Sequence, residues 1–162
     1  MTMHVRVKPA ARLEGDIQAL SSKNYTTRYM LAAALAEGES ELLHPARSED
    51  SDAMRRCLRA LGAGLEETEN RLVIRGFGAR PKAARELDVG NAGAVLRFLM
   101  SVAALCPGDV TFPNRYPESL GKRPHLDLIR ALEQMNVRVT HRDGRLPITI
   151  HGGAPRGGRI RV

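Results

Sequence analysis

One order of elements, helix–strand–helix–hairpin, is written twice along this chain, and any fold must accommodate that repetition. Its clearest trace is the pair Arg71-Leu72-Val73-Ile74-Arg75-Gly76 and Arg145-Leu146-Pro147-Ile148-Thr149-Ile150-His151-Gly152, alternating runs that both end on glycine. Upstream of the first, residues 24–37 place Met30, Leu31, Ala34 and Leu35 on one helical face, and Gly38 stands where a C′ glycine belongs. Glu39 to Leu43 then reads as a strand. Ser48-Glu49-Asp50-Ser51 offers N-cap chemistry to a helix running to Leu61, with Met54, Cys57, Leu58 and Leu61 inward and Gly62 after it. Leu65-Glu66-Glu67, a turn near Asn70, and Leu72-Val73-Ile74 make the hairpin.

The second passage follows the same plan. Residues 92–105 form an apolar helix stopped by Pro107-Gly108, and Asp109 to Phe112 is a strand. Pro124 suits a first helical position, where its missing N–H leaves no donor unpaired, and Leu126, Ile129 and Leu132 face inward as far as Met135. Val137 to Thr140, the turn His141-Arg142-Asp143-Gly144, and Leu146 to Ile150 make another hairpin. The fold class is therefore α/β (α+β), a duplicated unit of roughly 70 residues. Outside the repeats, Met3 to Lys8 alternates as a half-buried strand would. The strand-like Gly157 to Val162 stops in mid-pattern, so the chain is expected to be part of a longer one.

Three of the expected helices begin at segments suited to anions: Ser21 to Arg28, Gly90-Asn91-Ala92-Gly93, and Lys122-Arg123-Pro124. A helix N-terminus carries unpaired N–H groups and about half a positive charge, and lysine or arginine beside it strengthens the preference. The whole chain is basic, with 25 Lys+Arg against 18 Asp+Glu. Nucleic acid is the usual partner of such a balance, but aromatics make up only 4% and Trp is absent, leaving few stacking platforms. The basic residues are also interspersed with acidic ones, which argues against a nucleic-acid tract. Cys57 and Cys106 lie in no metal-binding spacing and read as small buried hydrophobes. The five histidines, in no HxxxH or HExxH spacing, read as surface or structural. The N-terminus lacks an apolar signal stretch and no apolar run spans a membrane, so a cytoplasmic protein is expected.

Several motifs, in order and along essentially the whole length, resemble 5-enolpyruvylshikimate-3-phosphate synthases (3-phosphoshikimate 1-carboxyvinyltransferases). They are Gly15-Asp16-Ile17 with Ser22-Lys23-Asn24-Tyr25-Thr26-Thr27-Arg28, Leu31 to Gly38, Ser48-Glu49-Asp50 with Met54, Gly90-Asn91-Ala92-Gly93 with Arg97-Phe98-Leu99, and Ser119-Leu120-Gly121-Lys122-Arg123-Pro124. The resemblance implies an enolpyruvyl-transferase-like domain of repeated βαβαββ-type units, here incomplete. Residues 1–20 would hold a strand segment belonging to the family's second domain, 21–80 the first repeat and 81–162 the second. It further implies a transferase moving the enolpyruvyl group of phosphoenolpyruvate to the 5-hydroxyl of shikimate 3-phosphate, through a tetrahedral intermediate, with no metal or organic cofactor.

By the same resemblance, Lys23 bridges the two substrates, and Asn24 and Arg28 hold shikimate 3-phosphate. Asn91, Gly93 and Arg123 hold phosphoenolpyruvate, with Gly93 sparing the ligand a collision with a Cβ. The family's acid/base carboxylates match nothing in this chain, so it alone is expected to lack turnover; the full-length enzyme is expected to be a monomer. Asn24 stands where the family has serine, Ser21 where it has glycine, Ala94 where it has threonine, and Glu49 where it has aspartate. The nearest rival is the sister enzyme acting on UDP-N-acetylglucosamine, whose Lys-Asn pair Lys23-Asn24 reproduces. That family carries a reactive cysteine just before its Arg-Pro, and Tyr116-Pro117-Glu118-Ser119 contains none. A non-catalytic anion- or nucleic-acid-binding module is the remaining alternative. The cluster Glu49-Asp50-Asp52 reads as helix capping and dipole compensation.

Overall fold

The protein is described from a computed structural model covering residues 3–153 and 155–161. Its elements follow the doubled order: α1 (Lys23–Leu35), β1 (Glu39–Leu43), α2 (Glu49–Ala60), β2 (Gly64–Glu67) and β3 (Arg71–Arg75) make the first unit. The second unit comprises α3 (Gly93–Ala103), β4 (Asp109–Phe112), α4 (Leu126–Gln134), β5 (Arg138–Arg142) and β6 (Arg145–His151). Each unit builds one antiparallel three-stranded sheet, ordered β1-β3-β2 in the first and β4-β6-β5 in the second. In both, the last hairpin strand is central and the strand between the helices lies at an edge. Glu86 adds a short parallel bridge to Thr111 beside β4, so the second unit has a strand-like element before its first helix.

Period-two alternation explains why the hairpins lie where they do. Leu72 and Ile74 of β3, and Ile148 and Ile150 of β6, are fully buried, while the flanking arginines stay outside. Each such side chain contributes about 1.5–3 kcal/mol by leaving water. They join Met30, Met54, Leu58, Leu96, Leu99 and Phe112 in a core continuous across both units. The acidic start of α2 is closed by a capping box: Ser48 accepts from the Ser51 backbone and Ser51 from the Ser48 backbone.

The two glycines of the repeated hairpin do the same job. A methyl on Gly76 would come 2.1 Å from the Ala36 carbonyl oxygen and 2.5 Å from that of Ala33, at the end of α1. A methyl on Gly152 would come 2.2 Å from the Cys106 oxygen and 2.6 Å from that of Gly108, just beyond α3. Each hairpin thus ends by laying bare backbone against the carbonyl end of its own unit's first helix. Only glycine allows that approach.

Several sequence expectations need correction. Met3 to Lys8 forms no strand; Met3, Val5 and Val7 are 86%, 74% and 85% exposed. Alternation supplies two faces, but a strand also requires a partner for its N–H and C=O groups, and among the described residues none pairs with this segment. No strand forms over 157–161 either, and Val162 lies outside the described residues. Helix α1 stops at an extended Ala36, so Gly38 (φ +85°) turns the chain into β1 instead of serving as C′. Pro124 does not open α4. A 3-10 turn at Leu120–Lys122 comes first, and the helix starts at Leu126 behind His125, whose backbone N–H donates to the Gly144 carbonyl at 2.8 Å. The hairpin turn itself is only Asp143-Gly144, both at positive φ, which fits a tight two-residue loop.

Candidate anion-binding site

Helix α3 begins at Gly93 behind Ala92, a residue with no capping side chain, so no side chain caps the donors of its first turn. Two guanidinium groups reach this end. A methyl on Gly93 would lie 3.1 Å from Nη1 of Arg123 and 3.5 Å from Nη1 of Arg97. Arg97, one turn along α3, also donates to the Gly93 carbonyl at 3.3 Å. Arg123 comes from a distant loop whose root is fixed. Leu120 is buried, Arg123 donates its backbone N–H to the Leu120 carbonyl, and Gly121 packs so tightly that a methyl there would meet Asn114 at 2.4 Å. Helix dipole, uncapped donors and two nearby positive charges together make a strongly anion-attracting point.

His125 adjoins this cluster. It is 3% exposed, and among the described residues neither ring nitrogen has a partner. Burial, then the charges of Arg97 and Arg123, hold its pKa down to about 4, so at neutral pH it is an uncharged ring beside two cations. Treating every histidine as surface or structural missed its place beside the arginines. Arg97 was legible, since i,i+4 spacing from Gly93 puts it on the same helical face.

Toward the other unit, the start of α1 carries Lys23, Asn24 and Arg28. Ser22 caps the helix by accepting from the Tyr25 backbone N–H. Lys23 forms an ion pair with Asp50 of α2, Nζ to Oδ2 3.2 Å. The acidic cluster therefore does more than compensate a dipole: it also fixes the lysine's direction. Arg28 donates to the Asn24 carbonyl at 2.9 Å, and its guanidinium carbon sits 5.1 Å from the centre of the Phe98 ring on α3. Asn91 is exposed in the turn before α3, where Gly90 takes a positive φ and donates to Asp88.

The structure thus brings Gly93, Arg97, Arg123 and His125 together, and ties Arg28 to α3 and Lys23 to α2. The Lys122-Arg123-Pro124 segment precedes α4 by a turn instead of opening it, and Arg123 serves the N-terminus of α3. A cavity of about 770 Å³ beside the α1 start is lined by residues such as Ser21, His44, Arg47 and Asn70, and by none of Lys23, Arg28 and Arg123.

Comparison with known proteins bears on this arrangement. Residues 7–162 match the family model described as EPSP synthase (3-phosphoshikimate 1-carboxyvinyltransferase). A 3-phosphoshikimate 1-carboxyvinyltransferase of Deinococcus radiodurans is 57% identical over 161 residues, covering 99% of this chain and 36% of the relative. One of Acetivibrio thermocellus is 33% identical over 165 residues, covering 100% of this chain and 38% of the relative. Among solved structures, an EPSP synthase from Acinetobacter baumannii superposes with a TM-score of 0.77 at 27% identity, covering 86% of this chain and 32% of that one. The chain therefore spans a little over a third of the length of these sequence relatives. Among the described residues, no helix is long and apolar enough to cross a membrane.

Proposed function

This chain belongs to the EPSP synthase family, and from that premise we propose that it supplies the phosphate-holding part of an enzyme making enolpyruvylshikimate 3-phosphate. The reaction moves the enolpyruvyl group of phosphoenolpyruvate onto the 5-hydroxyl of shikimate 3-phosphate and releases phosphate. The observation that carries the reading is the convergence of Arg97 and Arg123 on Gly93 at the uncapped start of α3.

Phosphoenolpyruvate is small and multiply charged, and the Gly93 site is small and positively charged. There Arg123 grips the phosphate or carboxylate. Gly93 lets the ligand reach the backbone donors, and Asn91 borders the site from its exposed turn. At the start of α1, Lys23 contacts both substrates, and Asn24 and Arg28 hold shikimate 3-phosphate. Lys23 is already oriented by Asp50. That exposed pair is worth at most about 1 kcal/mol, so a substrate phosphate can compete for the ammonium. Each charge-assisted contact to a substrate contributes on the order of 1.5–3 kcal/mol.

Catalysis in this scheme is positioning and charge stabilisation, with no metal or organic cofactor. As the hydroxyl adds to C2 of phosphoenolpyruvate, a proton goes to C3; the C–O bond to phosphate then breaks and C3 gives a proton back. Proton transfer is assigned to none of these 162 residues. The reading places the protein in the cytoplasm, as a monomer in its full-length form, without a nucleic-acid partner.

A fusion of this chain to the remaining length of the Deinococcus radiodurans relative tests the reading. The expected result is phosphate release that requires both substrates and falls at least tenfold in Lys23→Ala and Arg123→Ala. A folded fusion with no such activity, or one indifferent to both substitutions, contradicts it.

A further inference from the structure

We propose that Phe98 is a positioning residue for Arg28, holding its guanidinium in one orientation for the shikimate 3-phosphate contact described above; the inference rests on that reading of Arg28. Arg28 is exposed on α1 and carries a long, flexible side chain. Two contacts restrain it. Its Nη1 donates to the Asn24 carbonyl at 2.9 Å, and its guanidinium carbon lies over the Phe98 ring, 5.1 Å from the ring centre.

The two partners differ in kind. The carbonyl belongs to Arg28's own helix, so it tethers the group locally. Phe98 belongs to α3, in the second unit, and is half-buried against the continuous core. A ring anchored in that way is a fixed platform, and stacking on it restricts the rotamers the guanidinium can sample. A ligand then meets an arginine already in place, so less ordering entropy is lost on binding. The contact also ties Arg28 to the helix that carries Gly93. Phe98 lies five positions after Gly93, about 7.5 Å along the helix axis at 1.5 Å per residue. The arginine of one unit is thereby referenced to the frame that holds the anion site of the other.

Alternative roles for Phe98 make different predictions. If its ring only fills space, leucine replaces it well. If the π face matters, tyrosine replaces it and leucine does not. Three samples decide the matter: the full-length fusion described above, unsubstituted, with Phe98→Tyr and with Phe98→Leu. Each is examined for the NMR shifts of the Arg28 side chain and titrated with shikimate 3-phosphate and, separately, with phosphoenolpyruvate.

The expected result is a ring-current displacement of the Arg28 δ and ε resonances in the unsubstituted fusion and in Phe98→Tyr, absent in Phe98→Leu. Affinity for shikimate 3-phosphate falls threefold to tenfold in Phe98→Leu and stays within twofold in Phe98→Tyr, while binding of phosphoenolpyruvate alone is the same in all three. Equal shikimate 3-phosphate affinity in Phe98→Leu, or an equal loss in both variants, overturns the inference and leaves the functional reading standing. Absence of binding by the unsubstituted fusion sinks the functional reading itself, and the inference with it.

Discussion

Gly76→Ala and Gly152→Ala are the sharpest probes of the duplicated architecture, because the clash each creates is with backbone. A methyl at 76 would stand 2.1 Å from the Ala36 oxygen, 2.5 Å from that of Ala33 and 3.0 Å from that of Ala34. At 152 the corresponding distances are 2.2 Å to Cys106, 2.6 Å to Gly108 and 3.0 Å to Ala103. Ordinary carbon–oxygen contacts lie near 3.3 Å, so strand and helix end must separate by about 1 Å. Neither side yields easily, since the Phe77 N–H donates to the Ala34 carbonyl and the Gly153 N–H to that of Ala104 at these junctions. Overpacking costs about 1–3 kcal/mol and a weakened hydrogen bond about 1 more, giving roughly 2–4 kcal/mol per substitution. For a chain of this size that lowers the melting temperature by about 10 °C. Calorimetry or thermal circular dichroism reads it directly. Gly153→Ala, with nothing within 4 Å of the added methyl, is the control and is expected to change stability by less than about 0.5 kcal/mol. Losses below about 1 kcal/mol at both 76 and 152, or a loss at only one, would refute the claim that the two glycines perform one structural job.

Other expected outcomes follow from single sites. Gly93→Ala places a methyl 3.1 Å from the flexible tip of Arg123, so the chain folds with unchanged or slightly higher stability, while phosphoenolpyruvate affinity measured by calorimetric titration drops about threefold to tenfold. His125 has a folded pKa near 4 against about 6.5 when unfolded, so the unfolded chain binds more protons between those values. Stability should therefore decline as pH falls from about 6.5 to 4, by up to roughly 3 kcal/mol, and denaturant titrations of His125→Met should lack that part of the decline. Cys57 is buried, with its thiol pushed up to about 12, and Cys106 is buried and raised in the same direction. Neither should react with maleimide at pH 8 in the native chain, and both should react once guanidinium unfolds it, as intact mass will record.

Local chemistry made much of the fold legible. The strands Glu39–Leu43 and Asp109–Phe112 lie where the sequence puts them, and α2 follows from Ser48 together with Met54, Cys57, Leu58 and Leu61. Where tertiary contacts override local preference, the sequence misleads. Pro124 looks like a helix opener, yet packing of Gly121 on Asn114 and the hydrogen bond from His125 to Gly144 delay α4 to Leu126. Met3 to Lys8 has the alternation of a strand and, among the described residues, no partner to pair with.

The candidate site divides the same way. Lys23, Arg28, Gly93 and Arg123 stand in recognisable motifs. Asp50, Arg97 and Phe98 stand in those motifs too, but what each of them touches does not show there, because the contacts reach other segments or run around a helix turn. No pattern along the chain announces that Arg28 of the first unit rests on Phe98 of the second.

The proposed function stands on Gly93, Arg97 and Arg123 forming one anion site at the start of α3. Titrating the isotope-labelled chain with phosphoenolpyruvate while following backbone amides and arginine Nε–H resonances tests it most directly. The expected result is saturable shifts at the Gly93, Ala94 and Val95 amides and at the Nε–H of Arg97 and Arg123, all lost in Arg123→Ala. Shifts confined to other basic side chains, or unaffected by that substitution, would contradict it.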